Sequence, residues 1–345
     1  MIFLVVLCDP RPTAVTSYTV QRRRFLTGAG ALLAAPLTTL AEQAKPVRRI
    51  GFLGSSSVEQ GRSRLAAFRQ ALRELGYAEG QDIVVDQRYA SGRSEDLPKL
   101  AAELVRLKVD VLVTDGTPAA RAAKRATATI PVIMGSAGNP VGAGLVASLA
   151  RPGANITGLS NSSSDLVIKR LELLKTVVPS TSHIAVLFNP ANPTNPLELR
   201  QLQSVAPALG VTLSSFEVRG ADDIERAYDE MRGQPRGAIL LAGDGIFSLY
   251  RAHIVALAAN SRLPTLYPAR HFVDSGGLMS YATNFDDLYR RAASYVDKVF
   301  KGAKPADLPV EQPTRFELVI NLKTAKELSI TIPQSVLVRA DELLE

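Results

Sequence analysis

The chain is poor in the residues that build most metal, redox and hydrolytic sites. Its 345 residues contain no Trp, three His and a single Cys, Cys8. A lone Cys excludes an internal disulfide and a Cys-based metal centre, and we expect neither a metal nor a cofactor. There is also no Gly-x-Ser-x-Gly elbow, Walker motif, His-Glu-x-x-His or Gly-x-Gly-x-x-Gly after the first apolar strand. These gaps favour a binding protein over an enzyme.

The positive charge of the chain is spread rather than clustered. The formal net charge is +7, and residues 1–44 hold four Arg against Asp9 and Glu42, so about +5 belongs to the remainder. Basic and acidic residues are mixed along the helical patterns, for example from Arg62 to Arg73 with Glu74. No basic run is interleaved with aromatic residues, so we interpret these charges as solvated helix faces and expect no nucleic-acid partner.

Residues 1–44 have the pattern of an export signal. Three basic residues, Arg22 to Arg24, precede Phe25-Leu26 and a short, mildly apolar stretch that ends in small residues. The pattern fits twin-arginine export, although Arg pairs also occur in general secretion signals. The apolar stretch is shorter than the roughly 20 residues that span a bilayer. We expect cleavage near Ala41 or Ala44, a periplasmic product, and a true start of translation downstream of Met1.

After residue 44, short apolar runs alternate with helical patterns, which is typical of parallel β-α-β units. Two stretches about 130 residues apart follow one plan: an apolar strand ends in Asp-Gly, a helix follows, and a Pro opens the next strand. The first carries Asp115-Gly116 and the second Asp244-Gly245. We therefore predict an α/β protein of two doubly wound parallel-sheet lobes. Ligands of such sheets lie beyond the carboxyl ends of the strands, which predicts a binding cleft between the lobes.

Three loops of the first lobe are candidates for this cleft. Ser55, Ser56 and Ser57 offer hydroxyl and backbone N–H groups at a helix N-terminus, where a carboxylate could be held without Lys or Arg. The simpler alternative is a polar loop that only caps the helix. Asp115, Gly116 and Thr117 form the second loop, although Asp115 could serve only as a turn acceptor. The third loop holds Ser136 and Ala137.

The second lobe offers matching positions. Asn189 and Asp244 each follow an apolar strand, and an unpaired carboxylate such as Asp244 could take a ligand ammonium. Tyr267 and Tyr281 lie at strand ends and could orient a ligand, or they could be structural. His271 is the only His that we single out, because it lies in a loop rather than in a strand or helix pattern.

Long collinear motifs carry a family resemblance. Phe68 to Tyr77, Gly144 to Gly158, Gly276 to Tyr281 and Leu308 to Pro313 resemble the extracytoplasmic substrate-binding proteins of ABC transporters, in the subgroup with tryptophan- and tyrosine-binding members. The resemblance implies the type I periplasmic-binding fold, with two lobes on a three-crossover hinge that close on a ligand. It also implies as partners a small-molecule solute and an inner-membrane ABC permease with its ATPase, and a monomer.

The resemblance sets the expected lobes and site. We expect an N-terminal lobe of residues 45–157 plus about 283–314, and a C-terminal lobe of 158–282 plus about 315–345. By loop position, the ligand residues match Ser55–Ser57, Asp115–Thr117, Ser136–Ala137, Asn189 and Asp244. We expect a small zwitterion, such as an aromatic or other amino acid, to be captured for import. The alternatives are a periplasmic sensor that feeds a membrane receptor, a secreted α/β enzyme, or a cytoplasmic regulator, which the export signal disfavours.

Overall fold

The computed structural model describes residues 46–232 and 237–345. The export signal predicted within residues 1–44 lies outside the described residues. None of the described helices is both long and apolar enough to cross a membrane.

The first sheet has five parallel strands in the order β2-β1-β3-β4-β5. Its strands are β1 (Arg48–Gly54), β2 (Ile83–Tyr89), β3 (Val111–Asp115), β4 (Val132–Ala137) and β5 (Ile156–Ser160). β3, β4 and β5 are buried along their whole length, because helices cover both faces, as in a doubly wound sheet.

The second sheet has seven strands in the described chain, in the order β12-β11-β10-β9-β8-β6-β7. Its strands are β6 (His183–Phe188), β7 (Thr212–Glu217), β8 (Gly237–Leu241), β9 (Thr265–Tyr267), β10 (Met279–Thr283), β11 (Phe316–Asn321) and β12 (Glu342–Leu344). All its pairs are parallel except β10 with β11. The predicted parallel sheet is therefore confirmed, with one antiparallel strand pair near its edge.

The helices connect these strands and fill both faces of each sheet. In chain order they are α1 (Val58–Glu74), α2 (Leu97–Arg106), α3 (Thr117–Ala126), α4 (Ser163–Val177), α5 (Asn195–Val205), α6 (Ala221–Arg232), α7 (Gly245–Leu249), α8 (Arg251–Ser261), α9 (Arg270–Val273), α10 (Phe285–Phe300), α11 (Leu322–Glu327) and α12 (Gln334–Leu337). Short 3-10 turns lie at Ser94–Asp96, Ala206–Leu209 and Pro305–Asp307.

Apolar stripes at helical spacing explain how the helices cover the first sheet. On α1, Leu65, Phe68 and Leu72 are buried and pack with β1 and with α10. Small side chains of α3, such as Ala119 and Ala123, pack with α2 on the opposite face. The second sheet is covered in the same way, by α4 and α5 on one face and by α6, α8 and α9 on the other.

The chain passes between the two sheets three times among the described residues. The first passage follows Ser160, because Ile156–Ser160 pairs with β4 in the first sheet; the predicted boundary at 157/158 cuts this strand and is wrong by a few residues. The second lies between β10 and α10, and the third lies between Glu311, which still pairs with Leu159, and Phe316. Both sheets thereby turn the carboxyl ends of their strands towards one cleft.

Candidate functional site

A cavity of about 90 Å³ lies between the carboxyl ends of the two sheets. Seven of the sequence-predicted site residues line it: Ser55, Ser56, Asp115, Gly116, Thr117, Ser136 and Asp244. They come from the loops after β1, β3, β4 and β8, and so from both lobes. The cavity is therefore built by the strand ends of both lobes together.

Asp115 is the centre of the first-lobe wall and already has its own cation. Arg64 Nη1 donates to both carboxylate oxygens, at 2.8 and 3.0 Å. The Tyr289 hydroxyl donates to Oδ1 at 2.7 Å, and the Ser56 hydroxyl to Oδ2 at 3.0 Å. Because its lone pairs are used in this way, Asp115 acts as the organiser of the wall rather than as a free charge.

Arg64 is a site residue that the sequence analysis missed. The mixed charges between Arg62 and Glu74 predict a solvated helix face, but the Arg64 side chain is 14% exposed and its guanidinium lies over the Phe285 ring, 4.3 Å from the centroid. Burial by itself lowers its pKa, but Asp115, Tyr289 and Asp286 together outweigh that effect, so the pKa is raised and the guanidinium stays charged. Spacing along α1 places Arg64 beside the buried Leu65, and nothing in the sequence shows which way so long a side chain turns.

Asp244 is the contrasting acid of the second lobe. It is the N-cap of α7, where Oδ1 accepts from Ile246 N at 2.9 Å. Asn189 Nδ2 donates to Oδ1 and Asn192 Nδ2 to Oδ2, both at 2.9 Å. No Lys or Arg within residues 46–232 and 237–345 forms an ion pair with it. Burial raises its pKa in spite of these three hydrogen bonds, so the ionised form is under-stabilised.

A segment of repeated Asn-Pro pairs, residues 189–196, holds Asp244 in place. Asn195 accepts from Asn189 N through Oδ1 at 3.0 Å, and its amide donates to Gly243 O at 3.2 Å. Asn192 donates to the same carbonyl at 3.2 Å. All three Asn side chains are buried, and short amides that bond to nearby backbone suit such a loop. The three Asn-Pro pairs in the sequence could have identified Asn192 as a residue of the site.

The two lobes touch directly at the cavity. Thr194 Oγ1, from the Asn-Pro segment, donates to Thr117 Oγ1 at 3.1 Å. A Cβ on Gly138 would lie 2.6 Å from Thr194 Cγ2, and one on Gly245 would lie 2.9 Å from Ser55 O. Only glycine permits approach this close, so the described lobes are closed upon each other.

Five predicted site residues lie outside the cavity lining: Ser57, Ala137, Asn189, Tyr267 and Tyr281. Ser57 is the N-cap of α1 in a capping box with Gln60, which is the capping alternative considered above. Asn189 donates a hydrogen bond to Asp244 from outside the cavity lining. Ala137 is fully buried beneath the cavity wall.

Tyr267 is buried inside the second lobe, and Tyr281 is partly buried against the core of the same lobe. Tyr267 is 1% exposed and stacks on Phe272 at 5.0 Å between ring centroids, because its position in β9 faces the core. Tyr281 packs against Phe316, and its carbonyl accepts from Arg170 at 2.7 Å. Tyr267 is therefore a structural residue of the core, and Tyr281 lies outside the cavity lining.

His271 lines the cavity from α9. Its Nε2 lies 3.2 Å from the Ser248 hydroxyl, and its ring stacks on Phe272. Burial and the nearby charges of Arg64 and Arg251 lower its pKa to about 3, so the imidazole is neutral. Among the described residues, no group of three His, Cys, Asp or Glu could hold a metal ion.

The sequence model of the family described as "ABC transporter substrate binding protein" matches residues 58–344. The chain belongs to this family. The predicted recognition and the predicted type I periplasmic-binding fold are thereby confirmed. Proteins of this family bind small-molecule solutes, work with an ABC permease, and are typically extracytoplasmic.

One curated protein is similar to the chain in sequence, and two solved structures are similar in sequence and fold. A tyrosine-binding protein of Clostridioides difficile is 27% identical over 263 residues, which cover 76% of this chain and 75% of that protein. A Streptococcus pneumoniae ABC domain solved in complex with L-Trp is 30% identical, with a TM-score of 0.79, over 86% of this chain and all of that one. A Vibrio cholerae domain protein is 28% identical, with a TM-score of 0.80, over 86% and 99% of the two chains.

Proposed function

We propose that this protein is the solute receptor of an ABC importer and that it captures a small zwitterion, of the amino acid class, between its lobes. The observation that carries the proposal is Asp244, a half-buried carboxylate with three donors and no cationic partner among the described residues. One acceptor position of this carboxylate is left for a further donor. A ligand ammonium would fill it and stabilise the ionised form.

The ligand carboxylate would lie against the first lobe. The Ser55 hydroxyl lines the cavity and has no hydrogen-bond partner within the described chain. α3 begins at Thr117, and its N-terminus lines the same wall. The Gly116 N–H is already used, because it donates to Ser136 O at 3.1 Å. Arg64 also lines the cavity, with its Nη1 bound to Asp115, and its other N–H groups would donate to the ligand carboxylate.

Capture would work through closure. A solute that contacts both walls binds the closed state more tightly than the open one, and so shifts the equilibrium towards closure. The tyrosine-binding and L-Trp-bound relatives support an amino acid as the ligand class. We further infer export through the signal in residues 1–44, action as a monomer, and delivery to an inner-membrane permease with its ATPase.

Isothermal titration of the twenty amino acids against the purified protein tests the ligand class. For an amino acid that binds, Asp244→Asn should weaken binding by about 1.5–3 kcal/mol, or about 10–150-fold, because a charge-assisted hydrogen bond is lost. Asp229→Asn is the matched control, because Asp229 is an exposed acid of the same lobe, paired with Arg232. Equal affinities of the two variants would remove Asp244 from the site.

A further inference from the structure

Asn161 lines the cavity but lies outside the loops predicted to form the site. It follows Ser160, the last residue of β5, and so lies in the first passage of the chain between the two sheets. The residue is partly buried. Asn161 therefore belongs both to the cavity and to the connection between the lobes.

The orientation of the Asn161 amide is fixed by its neighbour Ser163. The Ser163 N–H donates to Asn161 Oδ1 at 3.1 Å. Because an N–H donor requires an oxygen acceptor, this bond decides which end of the amide is Oδ1 and which is Nδ2. Nδ2 has no hydrogen-bond partner within residues 46–232 and 237–345, and it keeps accessible surface. The amide thus has two free N–H groups at the surface of a residue that lines the cavity.

The backbone of Asn161 joins it to the wall assigned to the ligand carboxylate. Its N–H donates to the carbonyl of Ala137, at the end of β4, at 2.8 Å. The next residue, Gly138, donates its N–H to Thr117 Oγ1 at 2.9 Å, and Thr117 begins α3. A further donor beside this helix N-terminus suits an anionic oxygen, because both offer N–H groups to the same charge.

Asn161 also lies where the three passages between the lobes, which form the hinge, contact one another. Its carbonyl accepts from Thr283 Oγ1 at 2.9 Å, and Thr283 ends β10 just before the second passage. The adjoining Ser162 accepts through Oγ from Gln312 Nε2 at 3.2 Å, in the third passage. Because lobes of this kind rotate about their connections, a residue at this place moves less than the residues of the cavity rim.

We propose that Asn161 is a solute-binding residue of the hinge, and that its Nδ2 donates a hydrogen bond to a carboxylate oxygen of a bound amino acid. The proposal rests on the proposed function, since it takes an amino acid as the ligand and the first-lobe wall as the site of its carboxylate. A bond made at the hinge stabilises the open and the closed complex alike, and a contact that does not distinguish two states shifts no equilibrium between them. Asn161 therefore contributes affinity, while contacts that span both lobes drive closure.

Asn161→Asp tests this role, in protein freed of bound solute by unfolding and refolding. The new carboxylate has the shape of the amide and still accepts from the Ser163 N–H, but an anionic oxygen replaces the Nδ2 donor. Isothermal titration of the twenty amino acids identifies one that binds the wild-type protein, and its affinity for Asn161→Asp should be at least about tenfold lower. Small-angle X-ray scattering at saturation with that amino acid should show the same contraction as in the wild type.

Asn321→Asp is the matched control. Asn321 is the N-cap of α11, its Oδ1 likewise accepts from a backbone N–H, that of Thr324 at 2.9 Å, and it lies outside the cavity lining. This substitution should leave the affinity unchanged, because Asp is as good an N-cap as Asn. Asn161→Ser also removes Nδ2 but adds no charge, and it should weaken binding in the same direction. This variant decides the question if Asn161→Asp does not melt cooperatively.

The outcomes separate this inference from the proposed function. Wild-type affinity in either Asn161 variant, or an equal loss in Asn321→Asp, would overturn the inference while leaving an amino acid receptor. A smaller contraction of the saturated Asn161→Asp protein would overturn the place of this contact at the hinge. No binding of any amino acid by the wild-type protein would overturn the proposed function as well.

Discussion

Gly245→Ala should prevent full closure of the lobes without unfolding either of them. Gly245 is the first residue of α7, and its backbone faces the loop after β1. A Cβ built there would lie 2.9 Å from the carbonyl oxygen of Ser55, 3.1 Å from its carbonyl carbon and 3.3 Å from the nitrogen of Ser56. These are backbone atoms of the opposite lobe, so they cannot rotate away as a flexible side chain could.

The magnitude follows from the overlap. Inserting one methyl group into a well-packed contact costs about 1–3 kcal/mol, and this cost falls on the closed state alone. Ligand affinity should therefore fall about 5- to 150-fold. The second lobe should keep its stability, since the Gly245 backbone does not adopt a positive φ and Ala is favoured over Gly in a helix by about 1 kcal/mol.

Two measurements separate closure from stability. Isothermal titration gives the affinity, and small-angle X-ray scattering with and without saturating ligand gives the contraction that accompanies closure, which should be smaller in Gly245→Ala. Gly220→Ala in the same lobe is the matched control, because a Cβ there meets no atom within 4 Å. Wild-type affinity together with wild-type contraction in Gly245→Ala would refute the reasoning that this contact limits closure.

Three further substitutions test other contacts. Thr194→Val removes the hydroxyl that donates to Thr117 at 3.1 Å and should weaken ligand binding by about 0.5–1.5 kcal/mol. A double-mutant cycle with Thr117→Val tests the bond, and losses of binding free energy that simply add would contradict it. Burial lowers the pKa of His271 from 6.5 to about 3, so below pH 6.5 the unfolded state takes up a proton that the folded state does not, and the free energy of unfolding should fall as the pH drops. Urea melts of His271→Gln should show a weaker dependence of the free energy of unfolding on pH. The same pH dependence in both proteins would contradict the role of His271. Burial raises the pKa of Glu198 from 4.5 to about 7, so its contribution has the opposite sign and is lost as the pH rises from 4.5 through 7. Thermal melts of Glu198→Gln should therefore gain on the wild type between about pH 5 and pH 8, and a constant difference would be inconsistent with this titration.

The strand ends could be predicted from the sequence, and with them the edge of each sheet at which the two acids lie. Asp115 and Asp244 both follow buried parallel strands, and carboxyl ends of parallel strands meet at one edge of a sheet, so both acids line the same cavity. What the strand pattern cannot give is the partner of each acid. Arg64 is 51 positions before Asp115 in the chain, and only the packing of α1 on the sheet brings them together.

The tyrosines show a second limit of reading the sequence. β9 is only three residues long, too short for an alternating pattern to tell which face Tyr267 occupies. The structure places this ring in the core, with its hydroxyl among the buried groups of the second lobe. In the same way the apolar run of β5 stops at Leu159, but the strand continues through the polar Ser160, so the first crossover follows Ser160.

The two acids of the cavity are each braced from within their own lobe. Asp115 is held by Arg64 of α1, and Asp244 by amides of the Asn-Pro segment. None of these bonds to Asp115 or Asp244 comes from the opposite lobe, so both carboxylates keep their partners when the lobes separate, and only Thr194 of the segment loses its bond to Thr117. The entropic cost of ordering these side chains is met when the chain folds rather than when a solute arrives. A solute that binds to either lobe first therefore contacts side chains that are already ordered, and the step that follows is the rotation of the two lobes towards each other.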